Sequence, residues 1–116
     1  MLLSVITVVK NNRSQIPLTL QSILSQSYKN LELIVIDGIS EDGTESIIRK
    51  HFKKFKLIRK KDNSVYESLN YACKIAKGDY VTFLHSGDIY FNKHVLSKVV
   101  KNLNNFDLIS SNIIYF

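Results

Sequence analysis

The stretch "LELIVIDGISEDGTESIIRK", residues 31–50, contains the unit that decides the fold. Within it, Leu33–Ile36 is a short run of apolar, largely β-branched residues, which predicts a buried strand. A turn is predicted over Ser40–Gly43, and the apolar side chains from Thr44 to Phe55 then recur at helical spacing. A strand, a turn and a helix in that order are typical of one repeat of a layered α/β sheet.

The same alternation of strand and helix recurs along the rest of the chain. Strands are predicted at Leu3–Val9, Leu33–Ile36, Lys56–Arg59, Asp79–Leu84 and, for a fifth strand, from Asp107 to Ser110. Helical patterns cover residues 16–26, 44–55, 65–76 and 93–103. The third helix carries one apolar stripe, formed by Val65, Leu69, Ala72 and Ala76. We therefore expect an α/β fold, with a mostly parallel sheet and helices on both of its faces.

Length and composition limit the class of protein. The chain has 116 residues, the size of a single domain, and 45% of them are hydrophobic, which excludes a disordered protein. Its apolar runs are too short to span a bilayer, and its first residues have no signal-peptide pattern. The single cysteine, Cys73, excludes a disulfide framework and fits a reducing compartment. Because Cys73 lies in an apolar helical pattern, it is predicted to be a small buried side chain.

The net charge of +6 is concentrated in the segment "KKFKLIRKK", Lys53–Lys61. Such a run is usually a solvated face, and this is the interpretation we favour. The alternatives are attraction to an anionic ligand, to a membrane surface or to nucleic acid. Nucleic acid is the weakest of these, because the sequence has no helix-turn-helix, zinc or aromatic RNA-binding signature.

Polar residues follow the first four predicted strands at their carboxyl ends. They are Lys10 and Asn11, then Asp37 and Gly38, then Lys61, Asp62 and Asn63, and finally His85, Ser86, Gly87 and Asp88. Ligands of open parallel α/β sheets bind at these ends. Carboxylates that converge on one edge repel one another unless a cation or the donors of a ligand lie between them. We therefore expect Asp37 and Asp88 to belong to one ligand-binding edge.

Asp88 allows two interpretations that the spacing alone does not separate. It can be a ligand of Mg²⁺ or Mn²⁺, hard cations that bind through one or two carboxylates and substrate phosphates. It can instead cap the turn that follows the strand. His85, three positions before Asp88, could be a metal ligand, but a packing or hydrogen-bonding role is favoured for it, and His51 and His94 are expected to be exposed.

Two longer stretches resemble family 2 glycosyltransferases. The first runs from "SVITVVKNN" through "LQSILSQSYKNLELIVIDGISEDGT", and it matches at Ser22, Gln26, Tyr28, Asn30, Glu32, Asp37, Gly38, Ser40, Asp42, Gly43 and Thr44. The second, "DNSVYESLNYACKIAKGDYVTFLHSGDIY", matches at Asp62, Tyr66, Glu67, Asn70, Ala76, Gly78, Asp79, Leu84, Ser86, Gly87 and Asp88. The motifs occur in the family's order and spacing over nearly the whole chain, which makes the resemblance specific.

The resemblance implies a GT-A fold and the half of such a domain that binds a nucleotide-diphosphate sugar. It assigns donor binding to Val9, Asn11, Asp37, Asp62, Tyr66, Ser86 and Gly87. Among these, Asp37 would contact the uracil or ribose. Asp88 would be the remaining metal ligand of the family's "DxD" motif, and Mg²⁺ or Mn²⁺ would bridge the diphosphate.

The sequence departs from the family pattern at several positions. Gly87 stands where many members have an aspartate, and His85 stands where asparagine or aspartate is usual. Ser64 replaces a glycine and Ile39 replaces a small residue, so the local turns are expected to differ. Metal binding would therefore depend mainly on Asp88.

The resemblance implies an inverting glycosyltransferase that passes a sugar, usually from UDP, to the hydroxyl of a sugar or lipid-linked acceptor in polysaccharide biosynthesis. Such an enzyme would work in the cytoplasm at the inner face of a membrane. Because family catalytic domains are roughly twice as long, we expect the acceptor-binding half and the catalytic base beyond Phe116 and name no catalytic residue.

Three further expectations remain open. The apolar end "NIIYF", residues 112–116, predicts a chain cut within its fold, a homodimer contact, or a last strand in the domain's own core. A non-catalytic nucleotide-binding or interaction module is the alternative function. A nucleotidyltransferase of similar topology is less favoured, because Lys10–Arg13 lacks the glycine-rich phosphate loop of that class.

Overall fold

A computed structural model describes residues 1–61 and 63–103. Its strands are β1 (Leu3–Val9), β2 (Leu31–Asp37), β3 (Lys56–Arg59) and β4 (Tyr80–Phe83). Its helices are α1 (Ile16–Leu24), α2 (Thr44–His51), α3 (Val65–Ile75) and α4 (Val95–Leu103). The expected fifth strand, the apolar C-terminal segment and Asp62 lie outside the described residues.

The four strands form one parallel sheet in the order β3-β2-β1-β4. The chain moves outward from β1 to β3 and then returns to the other side of β1, so the winding direction reverses between β1 and β4. In open α/β sheets, the crevice at the carboxyl ends of the strands beside such a reversal is the usual ligand site. A ligand site is therefore expected at the residues that follow β1 and β4.

Helices cover both faces of this sheet, as the sequence predicted. On one face, β1 and β2 pack against α1, α2 and α4, with Ile16, Leu20, Ile23, Ile48 and Leu96 among the buried residues. On the other face, Ile6, Ile34 and Ile36 pack against α3 through Ala72. No helix in the described part of the chain is long and apolar enough to cross a membrane.

Some expectations about burial were wrong. Cys73 is exposed, because α3 turns the narrow stripe around Ala72 toward the sheet and the next residue lies about 100° further around the helix. Val65 is also exposed, since it borders a cleft described below. Phe83 in β4 is exposed because β4 is an edge strand of the described sheet, whereas β1 and β2 lie at its centre.

The other departures concern where elements end. The second helix ends at His51, although Phe52 and Phe55 remain buried and pack edge to face with their ring centroids 6.2 Å apart. Both phenylalanines belong to the core because the chain continues to turn after the helix, with the Phe55 amide donating to the Phe52 carbonyl. The expected exposure of His51 and His94 is confirmed.

The basic segment lies along the outer strand β3. Lys53, Lys54 and Lys56 are exposed, which agrees with the prediction of a solvated face. Lys60 is half-buried, with its Nζ 4.0 Å from the centre of the Tyr71 ring. Lysines on an edge strand discourage pairing with another sheet, so this segment has a structural role whatever else it binds.

Candidate functional site

A cleft of about 440 Å³ opens at the carboxyl ends of β1 and β4, where the winding of the sheet reverses. Its wall is formed by the ends of β1, β2 and β4 and by the start of α3, through Val8, Val9, Lys10, Gly38, Asn63, Ser64, Val65, His85 and Ser86. Two of the residues that the resemblance assigned to donor binding, Val9 and Ser86, therefore line one cleft. The sheet topology and the position of the cleft agree on the same site.

The cleft is suited to an anion. Its described lining residues include the cationic Lys10 and the imidazole of His85, and none of these described residues is a carboxylate. The aliphatic stem of Lys10 packs beside Gly38, which leaves its ammonium group at the exposed end. The first turn of α3 also borders the cleft, but the partial positive charge of its N-terminus is already met by the Glu67 carboxylate, which accepts from the Asn63 amide at 3.1 Å.

The loops that follow β1 and β2 are tied together by hydrogen bonds through Asn11. The Asn11 amide donates to the Ser40 hydroxyl at 2.8 Å, and its side-chain Oδ1 accepts from the Glu41 amide at 2.8 Å. A second link joins the Arg13 amide to Asp42 at 3.0 Å. Asn11 has a positive φ of 51°, which asparagine tolerates better than most residues. Asn11 thus fixes the shape of the rim beside the cleft.

Ile39 also has a positive φ, of 64°. A left-handed backbone conformation is strained for a β-branched residue. This strain agrees with the expectation that the turn at Ile39 differs from the family pattern.

Asp37, at the end of β2, is fully buried and bonded within the protein. Its Oδ1 accepts from the amide and hydroxyl of Ser40, and its Oδ2 accepts from Nε of Arg59 at 3.1 Å. Arg59 also donates to the Ser40 carbonyl and forms an ion pair with Glu45. Asp37 therefore holds the loop after β2 in place and does not line the cleft wall directly.

The turn after β4 places Gly87 and Asp88 beside α1. Gly87 has a φ of +96° and donates its amide to the Thr19 hydroxyl at 2.9 Å. A Cβ at this position would lie 2.6 Å from the oxygen of the exposed Gln15 side chain, which can move aside, so glycine is favoured mainly by the backbone conformation. Ser86 accepts a hydrogen bond from the Asn12 side chain at 3.2 Å.

Asp88 is 8% exposed, and its carboxylate accepts no hydrogen bond from residues 1–61 or 63–103. Burial raises the pKa of this carboxyl group, and the nearby His85 offsets part of that effect. The turn-cap interpretation finds no support here, because only the Asp88 backbone amide, which donates to the His85 carbonyl, is used in the turn. A buried carboxylate without a partner is costly unless a cation or a donor meets it.

The arrangement fits a cation held by one carboxylate. Across the described ranges, no group of three or more His, Cys, Asp and Glu side chains is close enough to hold a metal ion. Asp88 supplies one hard oxygen ligand, and Mg²⁺ or Mn²⁺ is commonly bound by one or two carboxylates together with substrate phosphates. Asp37 and Asp88 follow strands on opposite sides of β1, and Asp37 is already bonded to Arg59.

The remaining predicted site residues are placed as follows. Tyr66 is 73% exposed in the first turn of α3, next to Val65 of the cleft wall. Asp62 lies outside the described residues. Sequence reasoning did not assign Lys10 or His85 to binding, although both follow strands, and it missed the buried hydroxyl of Thr19. For Thr19, the sequence offered one signal, which is a threonine within the apolar face of a predicted helix.

Comparison with known proteins identifies the family. The sequence profile of glycosyl transferase family 2 matches residues 4–116. The chain belongs to glycosyl transferase family 2. Among curated relatives, it is 38% identical over 101 residues to the UDP-Glc:alpha-D-GlcNAc-diphosphoundecaprenol beta-1,3-glucosyltransferase WfaP of Escherichia coli. That alignment covers 84% of this chain and 40% of the relative.

Two solved structures share the fold of this chain. The mannosyltransferase PcManGT from Pyrobaculum calidifontis, in complex with GDP-Man and Mn²⁺, superimposes with a TM-score of 0.83 at 26% identity over 89% of this chain. S. aureus TarS 1-349 in complex with UDP-GlcNAc gives a TM-score of 0.81 at 29% identity over 90% of this chain. The expected GT-A fold is confirmed. The family 2 chain spans 32% and 31% of these two proteins, respectively.

Proposed function

We propose that this chain forms the nucleotide-sugar-binding part of an inverting glycosyltransferase. The enzyme would transfer a sugar from a nucleotide-diphosphate sugar, most simply a UDP-sugar, to an acceptor hydroxyl in polysaccharide biosynthesis. One observation carries the proposal: the cleft at the reversal of the sheet is lined by Lys10 and His85, and Asp88, whose carboxylate has no hydrogen bond within residues 1–61 and 63–103, lies in the same turn as His85. Membership of the family supports it.

The donor would lie across the carboxyl ends of the strands. In this proposal the base and ribose contact the side formed by β1 and β2, where Val9 lines the cleft and Asn11 and Asp37 fix the adjoining loops. Asp62 and Tyr66 would border the donor from the α3 side. Ser86 and Gly87 would approach it from the turn after β4, where glycine leaves room for a bulky ligand.

The diphosphate would lie near Lys10, His85 and Asp88. A Mg²⁺ or Mn²⁺ ion held by Asp88 and phosphate oxygens would supply Lewis-acid stabilisation of the leaving diphosphate. The ammonium group of Lys10 would add positive charge at the wall of the cleft. The fit depends on the Asp88 carboxylate, which has no hydrogen-bond donor in the described part of the chain.

The acceptor and the catalytic base belong, in this proposal, to a part of the protein outside these 116 residues. The chain spans less than half the length of the Escherichia coli relative, whose name specifies a diphosphoundecaprenol-linked acceptor. A sugar or lipid-linked acceptor would be consistent with work at the cytoplasmic face of a membrane. The exposed lysines 53, 54 and 56 would then face anionic headgroups. A homodimer through the C-terminal strand would involve residues that the structure does not describe.

A non-catalytic nucleotide-binding module is the second candidate, since the cleft residues Val9, Lys10 and Ser86 account for donor binding and not for the transfer step. It predicts the same donor binding without sugar transfer. Measurement of UDP release from a UDP-sugar in the presence of acceptor separates the two functions.

Isothermal titration calorimetry with UDP and with uridine tests the proposal directly. UDP is expected to bind, with its affinity increased by Mn²⁺, because the diphosphate meets Lys10, His85 and the ion at Asp88. Uridine lacks both phosphates and is expected to bind at least tenfold more weakly, a difference of about 1.4 kcal/mol. The proposal is wrong if UDP does not bind, or if uridine binds as tightly as UDP.

A further inference from the structure

Three polar side chains on one side of α1 and its exit hold the turn that contains Asp88. They are Thr19 and Ser22, within α1, and Gln26, two residues past its end. Thr19 and Gln26 are almost completely buried, at 0% and 1% exposed. Buried polar side chains destabilise a fold unless they are hydrogen-bonded, so their partners are informative.

All three side chains bond to the backbone of the segment that joins β4 to α4. The Thr19 hydroxyl accepts from the Gly87 amide at 2.9 Å, and the Ser22 hydroxyl accepts from the Tyr90 amide at 3.3 Å. Gln26 donates to the Asn92 carbonyl at 2.7 Å and accepts from the Leu96 amide at 3.0 Å. The Ser22 hydroxyl also donates its proton to the Thr19 carbonyl, and its oxygen remains free to accept from the Tyr90 amide.

The amides of Gly87 and Tyr90 depend on α1 for their hydrogen bonds. Between Phe83 and Val95 the chain has neither helix nor strand. The Leu84 and Ser86 amides bond to β1, and the Asp88 amide bonds to the His85 carbonyl. The Gly87 and Tyr90 amides, in contrast, have only the Thr19 and Ser22 hydroxyls as acceptors among the described residues. The bonds from Thr19 and Ser22 lie immediately before and two residues after Asp88. The Asp88 side chain, in contrast, has no hydrogen bond in the described ranges that could fix it.

We propose that Thr19, Ser22 and Gln26 are positioning residues for Asp88, an inference that rests on the proposed function. They act through the backbone: they anchor Gly87 and Tyr90 to α1, and α1 packs into the main core through Ile16, Leu20 and Ile23. The backbone on both sides of Asp88, from which the carboxylate would reach the metal ion, is thus anchored to a helix of the main core.

The inference separates two components of nucleotide binding. Loss of the Thr19 hydroxyl releases Gly87, whose left-handed backbone is then no longer tied to the helix, and Asp88 shifts with it. Binding that depends on the metal ion falls. Binding of the nucleotide without metal, which depends on Lys10 and the ends of β1 and β2, is unchanged.

The matched substitutions Thr19→Val and Thr7→Val test this. Valine keeps the shape of threonine and removes its hydroxyl. Thr7 in β1 is a suitable control because it is also 0% exposed, and its hydroxyl has no hydrogen-bond partner among residues 1–61 and 63–103. Thr19→Ser keeps the hydroxyl and is the conservative rescue, and Ser22→Ala is a second variant that removes the neighbouring anchor.

UDP affinity is measured by calorimetry for each variant of the full chain, once with Mn²⁺ and once with EDTA. We expect Thr19→Val to lose about tenfold of the affinity gained from Mn²⁺ and to keep the wild-type affinity in EDTA, with Thr19→Ser restoring the gain. Ser22→Ala is expected to lose part of it, and Thr7→Val none. A wild-type Mn²⁺ gain in both Thr19→Val and Ser22→Ala overturns the inference. Absence of UDP binding by the wild-type chain overturns the proposed function, and this inference with it.

Discussion

Replacement of Asp88 by asparagine is expected to raise the melting temperature of the ligand-free chain and to remove the additional rise that UDP and Mn²⁺ produce in the wild type. Residue Asp88 is 8% exposed, and its carboxylate has no hydrogen-bond partner in the described ranges, so partial burial of its charge disfavours the folded state. Asparagine has nearly the same shape without the charge. Because the carboxylate oxygens are not completely shielded from water, we expect a small gain, of about 1 kcal/mol or less, in the free energy of unfolding.

The same substitution has a defined pH dependence. Burial raises the pKa of Asp88 in the folded state above its ordinary value of 3.8, so the folded state prefers the protonated form. Wild-type stability therefore falls, relative to that of the variant, as the pH rises through the window between the ordinary and the raised pKa. The stabilisation by asparagine should be complete at neutral pH and disappear below pH 3.8.

Thermal unfolding of the wild type, Asp88→Asn and Glu41→Gln measures this effect. Glu41 is an exposed carboxylate in the loop after β2, and its substitution should change stability by less than about 0.5 kcal/mol. In the wild type, ligand at 100 times its dissociation constant should add about 2.7 kcal/mol, and Asp88→Asn should lose the Mn²⁺-dependent part of this. A ligand-free variant less stable than the wild type would mean that the carboxylate has a structural partner.

Replacement of Asp37 by alanine is expected to destabilise the fold by about 2–4 kcal/mol. The substitution removes the acceptor for the Ser40 amide and hydroxyl and for Nε of Arg59. Ser40 is buried, so its amide would be left without a partner inside the protein. Because Ser40 also accepts from the Asn11 amide, the loss should extend to the rim of the cleft.

Glu45→Ala is the matched control for Asp37→Ala, since Glu45 pairs with the same arginine. The Arg59–Glu45 pair is partly exposed on both sides, at 31% and 30%, whereas the Asp37 side chain is 0% exposed. A partly exposed ion pair contributes about 0–1 kcal/mol. Urea unfolding of both variants should show a loss several times larger for Asp37→Ala. Equal losses would show that the stability depends on the arginine and that the buried acceptor is unimportant.

The fold could be predicted from the sequence because the patterns that indicate its helices and strands are local. Apolar runs such as Leu3–Val9 and the helical spacing of α3 each specify an element without reference to distant residues, and the alternation specifies a parallel sheet. The strand order β3-β2-β1-β4 is a long-range property that neither the apolar spacing nor the alternation of elements specified. The exposure of Cys73 was mispredicted because periodicity places a side chain on a helix only to within about one position.

Only the general position of the candidate site could be predicted from the sequence. Residues at strand ends could be named from their position, and Val9 and Ser86 do line the cleft. The positioning contacts of Thr19 and Gln26 join residues about 70 positions apart, and no sequence pattern within one element reports such a pair. The resemblance marked Gln26 as a motif residue, but its bonds to Asn92 and Leu96 are visible only in the folded chain.

A crystal structure of the chain with UDP and Mn²⁺ tests the central claim most directly. We predict one Mn²⁺ ion bound by the Asp88 carboxylate and by diphosphate oxygens, with the uridine in the cleft between the carboxyl end of β1 and the start of α3. A nucleotide bound elsewhere, or an ion bound without contact to Asp88, would contradict the account.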